Sequence, residues 1–334
     1  MFGFQPLPRT LEASVRDIAS TRPPVRTSAI ADLVRHARLG DKARERAIPL
    51  LEKALRDDVN AVRSAAALAL ADLHAESALP ALIVAVEDPD AYVRQMALTA
   101  LGEIGDARAR QRIERALHDE RPEVRYQALI AFVRIAEGDD ADRRAAIEKA
   151  LDDGDANIRH IALRLAEEHH VAGVEDKARS VLADADRAVA IVAAMIVARV
   201  RDPEGEKTLL GFIASGTGAH REDEQAAVEL AGELGLTAAI PDLERRAWGL
   251  GRVVRDTCAW HAKIALARLG NERAVAEITA DLGSWRRETR DAAVVAAGRA
   301  RLASVRRAIA ATAERGGDPR LIAEALELIG GPKP

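Results

Sequence analysis

Between Asp88 and Leu117 the apolar positions fall at helical spacing. Val93, Ala97, Leu101 and Ile104 share one face of a first helix, which Gly105-Asp106 ends. Ile113 and Leu117 mark a second helix, and Asp119 opens the next turn. Asp88-Pro89-Asp90 supplies the turn and the helix-start residues ahead of the first. The same frame fits Arg26 to Leu55, Arg63 to Val86, Arg125 to Leu151 and Arg159 to Leu182. It continues with weaker matches from Asp184, from Arg221 to Arg246, from Arg252 to Leu282 and from Arg286 to Ala313. The unit from Asp184 keeps Val189 but has Ala190 where an Arg stands elsewhere, and the Val254-Arg255 of the eighth lies one turn early. Leu11 to Ala19 and Asp318 to Ile329 predict covering helices at the two ends.

An Asp and an Arg six residues apart recur at the turns: Asp57–Arg63, Asp88–Arg94, Asp119–Arg125 and Asp153–Arg159. The arginines step by 31, 31 and 34 residues. A period of this size with two helical patterns per unit predicts an all-α solenoid of about nine helix pairs. A charge-balanced Arg and Asp at a fixed offset predict a structural ladder, each Arg holding turn carbonyls and carboxylates, rather than an anion-binding row.

The D-x-x-x-x-V-R turn, the Ala97–Asp106 run (ALTALGEIGD) and the Ala-Leu-Pro start at Ala78–Pro80 resemble the HEAT-repeat family, in the short bacterial form noted in phycobilisome lyases. The resemblance implies a right-handed superhelix with second helices on the concave side. It implies scaffold and binding-surface use more than any one activity.

The expected organisation is a covering segment at 1–21, repeats one to six at 22–210, a Gly-rich hinge at 211–220, repeats seven to nine at 221–316 and a covering helix and tail at 317–334. Gly211–Gly218 has the glycine spacing of a phosphate loop, but Thr217 replaces the required Lys and no strand precedes it. The apolar run Ala188–Ala198 is too short for a bilayer, which needs roughly 20 residues, and MFGFQPLPRT has no signal-peptide pattern. One cysteine, Cys258, excludes an internal disulfide; a cytoplasmic protein without membrane insertion is the expectation.

Three departures between repeats point to partners. On the second helices two adjacent slots are charged in Glu52-Lys53, Glu114-Arg115, Glu148-Lys149 and Glu244-Arg245, but apolar in Ile83-Val84. Those two residues are candidate protein-binding anchors, with local burial as the alternative. AVAIVAAMIVA in repeat six is apolar all round, so Ile191 and Met195 belong either to a contact site or to a helix covered on all sides. Third, residues 245–310 carry 14 Lys/Arg against 6 Asp/Glu, a net +8 in a chain of net −4, and hold all three tryptophans. Trp260, Arg286 and Arg287 there form a candidate surface for a nucleic acid or an acidic protein, with head-to-tail self-association as a further option. The alternative is that the tryptophans fill repeat joins and the arginines are solvated.

Catalytic signals are weak, and no cofactor is expected. HEAT-like DNA glycosylases use Trp, Arg and Asp on one face, but beyond Asp256 near Trp260 no motif matches. None of the eight histidines is followed by Glu, the pair by which deoxyhypusine hydroxylase holds iron; Glu167-Glu168-His169-His170 is the one dense ligand cluster. Cys258 near His261 lacks an orienting group and an oxyanion site, so a buried thiol is expected. The expected function is a non-catalytic protein-interaction scaffold. Nucleic-acid binding through 245–310 is the rival, and a lyase related to the phycobilin lyases stands behind both.

Overall fold

The computed structural model describes residues 9–136, 138, 140–216, 220–249 and 256–330. Expectations for residues 1–8, 217–219, 331–334 and the segment holding Arg252, Val254 and Arg255 lie outside the described residues. Helices account for all regular structure, with no strand among the described residues. None of those helices is long and apolar enough to cross a membrane.

Contacts divide the chain into two compact units, residues 1–174 and 175–334. The boundary falls between Val174 and Glu175. Gly211, of the glycine-rich 211–220 segment, lies inside a helix.

In the first unit α1 (Leu11–Asp17) covers the pair α2 (Pro23–Ala37) and α3 (Asp41–Ala54). The pairs α4 (Asn60–Asp72) and α5 (Leu79–Ala85), α6 (Ala91–Ile104) and α7 (Arg110–Ala116), and α8 (Pro122–Ile135) and α9 (Asp140–Ala150) follow, then α10 (Ala156–Glu168). First helices stack on first helices, α2 on α4, α4 on α6, α6 on α8 and α8 on α10.

The second unit starts with α11 (Glu175–Arg179) and continues with α12 (Arg187–Arg199) and α13 (Pro203–Ser215), then α14 (Arg221–Glu233) and α15 (Ile240–Trp248). It ends with α16 (Ala259–Arg268) and α17 (Glu272–Leu282), α18 (Arg287–Arg299) and α19 (Arg306–Ala311), and α20 (Pro319–Gly330), which covers α18 and α19. Nine pairs and two flanking helices make an all-α solenoid, as the period predicts. The unit boundary falls between α10 and α11.

The turns explain why each first helix starts where it does. In Asp88-Pro89-Asp90 the second Asp caps α6, its carboxylate accepting from the Tyr92 and Val93 amides. The first Asp folds the turn by accepting from the Asp90 amide, and its other bonds go to the ladder. Arg63 donates to the Asp57 carbonyl at 2.9 Å within its own repeat and forks onto both Asp88 oxygens, 2.7 and 2.8 Å, in the next. Arg94 repeats this with the Asp88 carbonyl and the Asp119 carboxylate, and Arg125 with the Asp119 carbonyl and the Asp153 carboxylate. Arg159 donates to the Asp153 carbonyl at 2.9 Å. At the start of the row Arg26 reaches Asp57 and Asp58, both at 2.6 Å. The guanidinium of Arg125 holds the Asp153 carboxyl below the usual carboxylate range, against the opposing effect of burial.

Ala and Leu fill the core, so helices approach closely. At the tightest crossings even Ala is too large: a Cβ on Gly232 of α14 would lie 2.7 Å from Ala265 Cα in α16, and one on Gly298 of α18 would lie 2.7 Å from Ala325 Cα in α20. Gly211, inside α13, has nothing within 4 Å of the same position. Alanine favours a helix over glycine by about 1 kcal/mol. Gly211→Ala is therefore expected to raise stability by roughly that amount, and Gly232→Ala to lower it by about 1–3 kcal/mol through overpacking. Chemical denaturation of the two variants checks the opposite signs.

Candidate functional site

Arg63, Arg94 and Arg125 each fork onto a carboxylate and cap a carbonyl, so their guanidinium edges are engaged within the ladder. Asp57, Arg63, Asp88, Arg94, Asp119, Arg125, Asp153 and Arg159 build the turns. The second helices beside them carry exposed side chains.

On that face the structure sorts the two repeated slots. The first is partly covered in Glu52, Ile83 and Glu148 and open in Glu114; the second is exposed in Lys53, Val84, Arg115 and Lys149. Val84 is 65% exposed, an apolar side chain in a row of cations. Ile83 leans against the core beside it and is half-buried. The comparison of repeats therefore picks out one exposed apolar residue and one partly covered neighbour.

Ile191 and Met195 are corrected by the structure. They are 0% and 1% exposed, as part of an α12 whose residues 188–198 are all buried. Helices α11, α13 and α14 pack on α12, so its outward slots meet protein and offer no surface anchor.

The basic excess of 245–310 is also smaller on the surface than in the sequence. Arg246 pairs with Glu224 at 2.6 Å and Asp256 at 3.1 Å, Arg299 with Glu229 at 3.1 Å, and Arg268 with Glu233 at 3.4 Å. These three glutamates all sit on α14, just upstream of the basic window. Glu224 occupies the slot that holds Arg94 in α6, so the ladder is inverted there: the acid lies on the first helix and Arg246 comes from α15. Arg290 fills the ladder slot of α18 and, lacking an Asp, donates to the carbonyls of Ser284, Trp285 and Arg315.

The tryptophans separate into three environments. Trp248 is half-buried, donates to Glu277 at 3.1 Å and lies under Arg273, whose guanidinium is 4.1 Å from the ring centre. Trp260 is 36% exposed, edge-on to His261 and 5.9 Å from the Arg299 guanidinium. Trp285 is 84% exposed with Arg286 at 5.0 Å, in the turn before α18. Arg286 is exposed without an ion-pair partner among the described residues, whereas exposed Arg287 holds Asp291 at 3.3 Å. Trp260 lines a groove between α16, α17 and α18 whose lining does not include Trp285, Arg286 or Arg287.

One surface was missed by comparing second helices alone. Between α2 and α4 lies a groove of about 590 Å³, lined by Ile30, Val34 and Ala65, with exposed Leu39 and Leu68 at its edge. The slot of Leu68 holds Thr99 in α6, Ile130 in α8 and Arg164 in α10, so the sequence carried only a partial signal.

The Glu167–His170 cluster ends α10 and does not assemble as a ligand set. His169 caps the helix, and His170 adopts a left-handed φ of 50°. Among the described residues no three His, Cys, Asp or Glu side chains come together to hold a metal. His74, Arg201 and Arg301 also take left-handed conformations where Gly105 stands after α6. His74 and Arg201 reach from there to carbonyls closing the next first helix, Glu103 and Leu234.

Cys258 is fully buried, and burial pushes its thiol up to about 11. A folded chain is therefore expected to resist iodoacetamide at pH 8, where nearly all of this thiol is protonated, and to label on unfolding. Because the folded thiol ionises later than the unfolded one, its contribution to stability is present below pH ~9 and declines as pH rises towards 11. Labelling in native buffer at a rate close to that of the denatured chain would contradict the buried assignment.

Comparison with known proteins bears on the same residues. Residues 47–75 match the family model described as HEAT repeat, and residues 79–167 the one described as HEAT repeats. No curated protein matches the chain. Among solved structures, the complex of CpcE and CpcF of phycocyanin lyase from a Nostoc species is 21% identical, with 70% of this chain and 91% of that chain covered and a TM-score of 0.45. YibA of Escherichia coli is 14% identical, with 89% and 94% covered and a TM-score of 0.46. A designed armadillo repeat protein is 20% identical, with 56% and 98% covered and a TM-score of 0.41. At these values the structural likenesses carry no argument about activity or partner. All four Asp–Arg steps, from Asp57 to Arg159, fall inside the two matched segments, and those segments belong to the HEAT-repeat family.

Proposed function

We propose that this chain is a non-catalytic scaffold that binds a protein partner along the second-helix face of residues 9–174. The observation that carries the reading is Val84, 65% exposed where Lys53, Arg115 and Lys149 hold the same slot. An exposed apolar residue flanked by cations suits a docking anchor: the apolar side chain contributes affinity on desolvation, and the surrounding charges fix orientation. Half-buried Ile83 widens the patch without needing to move.

A second reading keeps nucleic acid as the partner of the second unit. It is favoured by Trp285, 84% exposed with Arg286 at 5.0 Å, because a flat ring beside a cation suits base stacking and phosphate contact. The pairing of Arg246, Arg268 and Arg299 with α14 counts against a broad polyanion surface.

Affinity capture from the native lysate, with and without nuclease, separates the two. The scaffold reading expects a defined protein to persist after nuclease and its binding to weaken by about 2 kcal/mol, roughly thirtyfold, in Val84→Glu. Recovery that survives Val84→Glu but collapses with nuclease, and is abolished in Arg286→Glu/Arg287→Glu, would favour nucleic acid instead.

A further inference from the structure

The groove beside Trp260 has the opposite charge to the segment that contains it. It lies between α16, α17 and α18 and encloses about 340 Å³. Ile278, Ala293 and Ala296 line it with apolar surface, and Trp260 supplies an aromatic wall. Its one cation, Lys263, is held by Glu277 at 2.6 Å, and Glu277 also meets Arg273 at 3.2 Å and the Trp248 indole at 3.1 Å. That cluster is internally satisfied. Asp281 of α17 and Glu288 of α18 remain, both exposed on the groove and without side-chain partners among the described residues.

We infer that this groove binds a cationic side chain, an arginine or lysine, from an extended basic segment of the partner protein. An alkyl stem would lie against Ile278, Ala293 and Ala296. The Trp260 ring attracts the cation through its π face, and Asp281 and Glu288 neutralise it. The volume is at the small end of ligand pockets, roughly 300–1,000 Å³, which suits a side chain better than a nucleotide. Two carboxylates without partners also repel phosphate, so the groove and the Trp285–Arg286 turn select opposite partners. The acidic first two-thirds of another copy of this chain would be repelled for the same reason. The inference rests on the protein-scaffold reading and names one chemical feature of its partner.

The test titrates the full chain with a fluorescein-labelled peptide alternating arginine and alanine, and with the same peptide carrying citrulline for arginine. The expected result is saturable binding of the arginine peptide, at least about tenfold tighter than the citrulline peptide. Asp281→Asn/Glu288→Gln and Trp260→Ala should each weaken it at least about tenfold, while Glu222→Gln/Glu314→Gln, which removes the same charge elsewhere, leaves it unchanged. The substitutions at Asp281 and Glu288 are exposed and isosteric, and circular dichroism confirms that the helices persist. Equal binding of the two peptides, indifference to Asp281→Asn/Glu288→Gln, no binding of the arginine peptide, or competition by a single-stranded oligonucleotide for this groove would each overturn the inference. If the peptide result holds while Val84→Glu leaves partner capture intact, the anchor on the first unit fails and the groove stands.

Discussion

A guanidinium shared between two consecutive turns is the interaction on which the first unit depends. Arg63, Arg94 and Arg125 each donate to the carbonyl six residues before them and fork onto the carboxylate of the following turn. One side chain therefore closes its own turn and fixes the distance to the next. Helix propensity and an Ala/Leu core would give helix pairs, but packing of near-identical small side chains tolerates sliding. A bidentate ion pair with little solvent access does not, because a shift breaks two charge-assisted bonds and strands both charges. The ladder thus sets register, while the close-packed stripe sets spacing.

The second unit keeps the helices and varies the ladder. Ala190 leaves α12 without the arginine, and α12 is instead buried on every side. Glu224 and Arg246 reverse the polarity between α14 and α15, and Arg290 replaces a carboxylate with three carbonyls. Each solution neutralises the turn with different atoms, so the surface beside it changes sign or polarity from repeat to repeat. Arginines drawn onto α14 leave the Trp260 groove acidic inside a basic stretch of sequence. Surface charge in this chain is in that sense a by-product of how each turn is neutralised.

The helix pairs, their order and the ladder were legible in the sequence because they repeat. A pattern tested four times, from Asp57 to Arg159, distinguishes a structural requirement from chance. Val84 was legible by the same logic, as an exception in a slot that tolerates charge. What failed was reasoning that ignored neighbours. The count over 245–310 missed that Glu224, Glu229 and Glu233 lie outside the window and pair back into it. Ile191 and Met195 were weighed as outward positions by repeat register, but every residue from 188 to 198 of α12 is buried. The α2–α4 groove escaped because only second helices were compared. Gly211 reads as a break in the sequence but lies inside α13, because a helical glycine breaks nothing when its neighbours hold the helix.

A double-mutant cycle on Arg94 and Asp119, read by urea denaturation, tests the ladder most directly. Arg94→Met and Asp119→Asn should each cost about 3 kcal/mol, because each leaves a charged or polar partner with little access to water. The double variant should be less destabilised than the sum, with a coupling of roughly 1–3 kcal/mol. Additive losses, or single losses below about 0.5 kcal/mol, would mean the pair is an ordinary surface ion pair and that the register is set elsewhere.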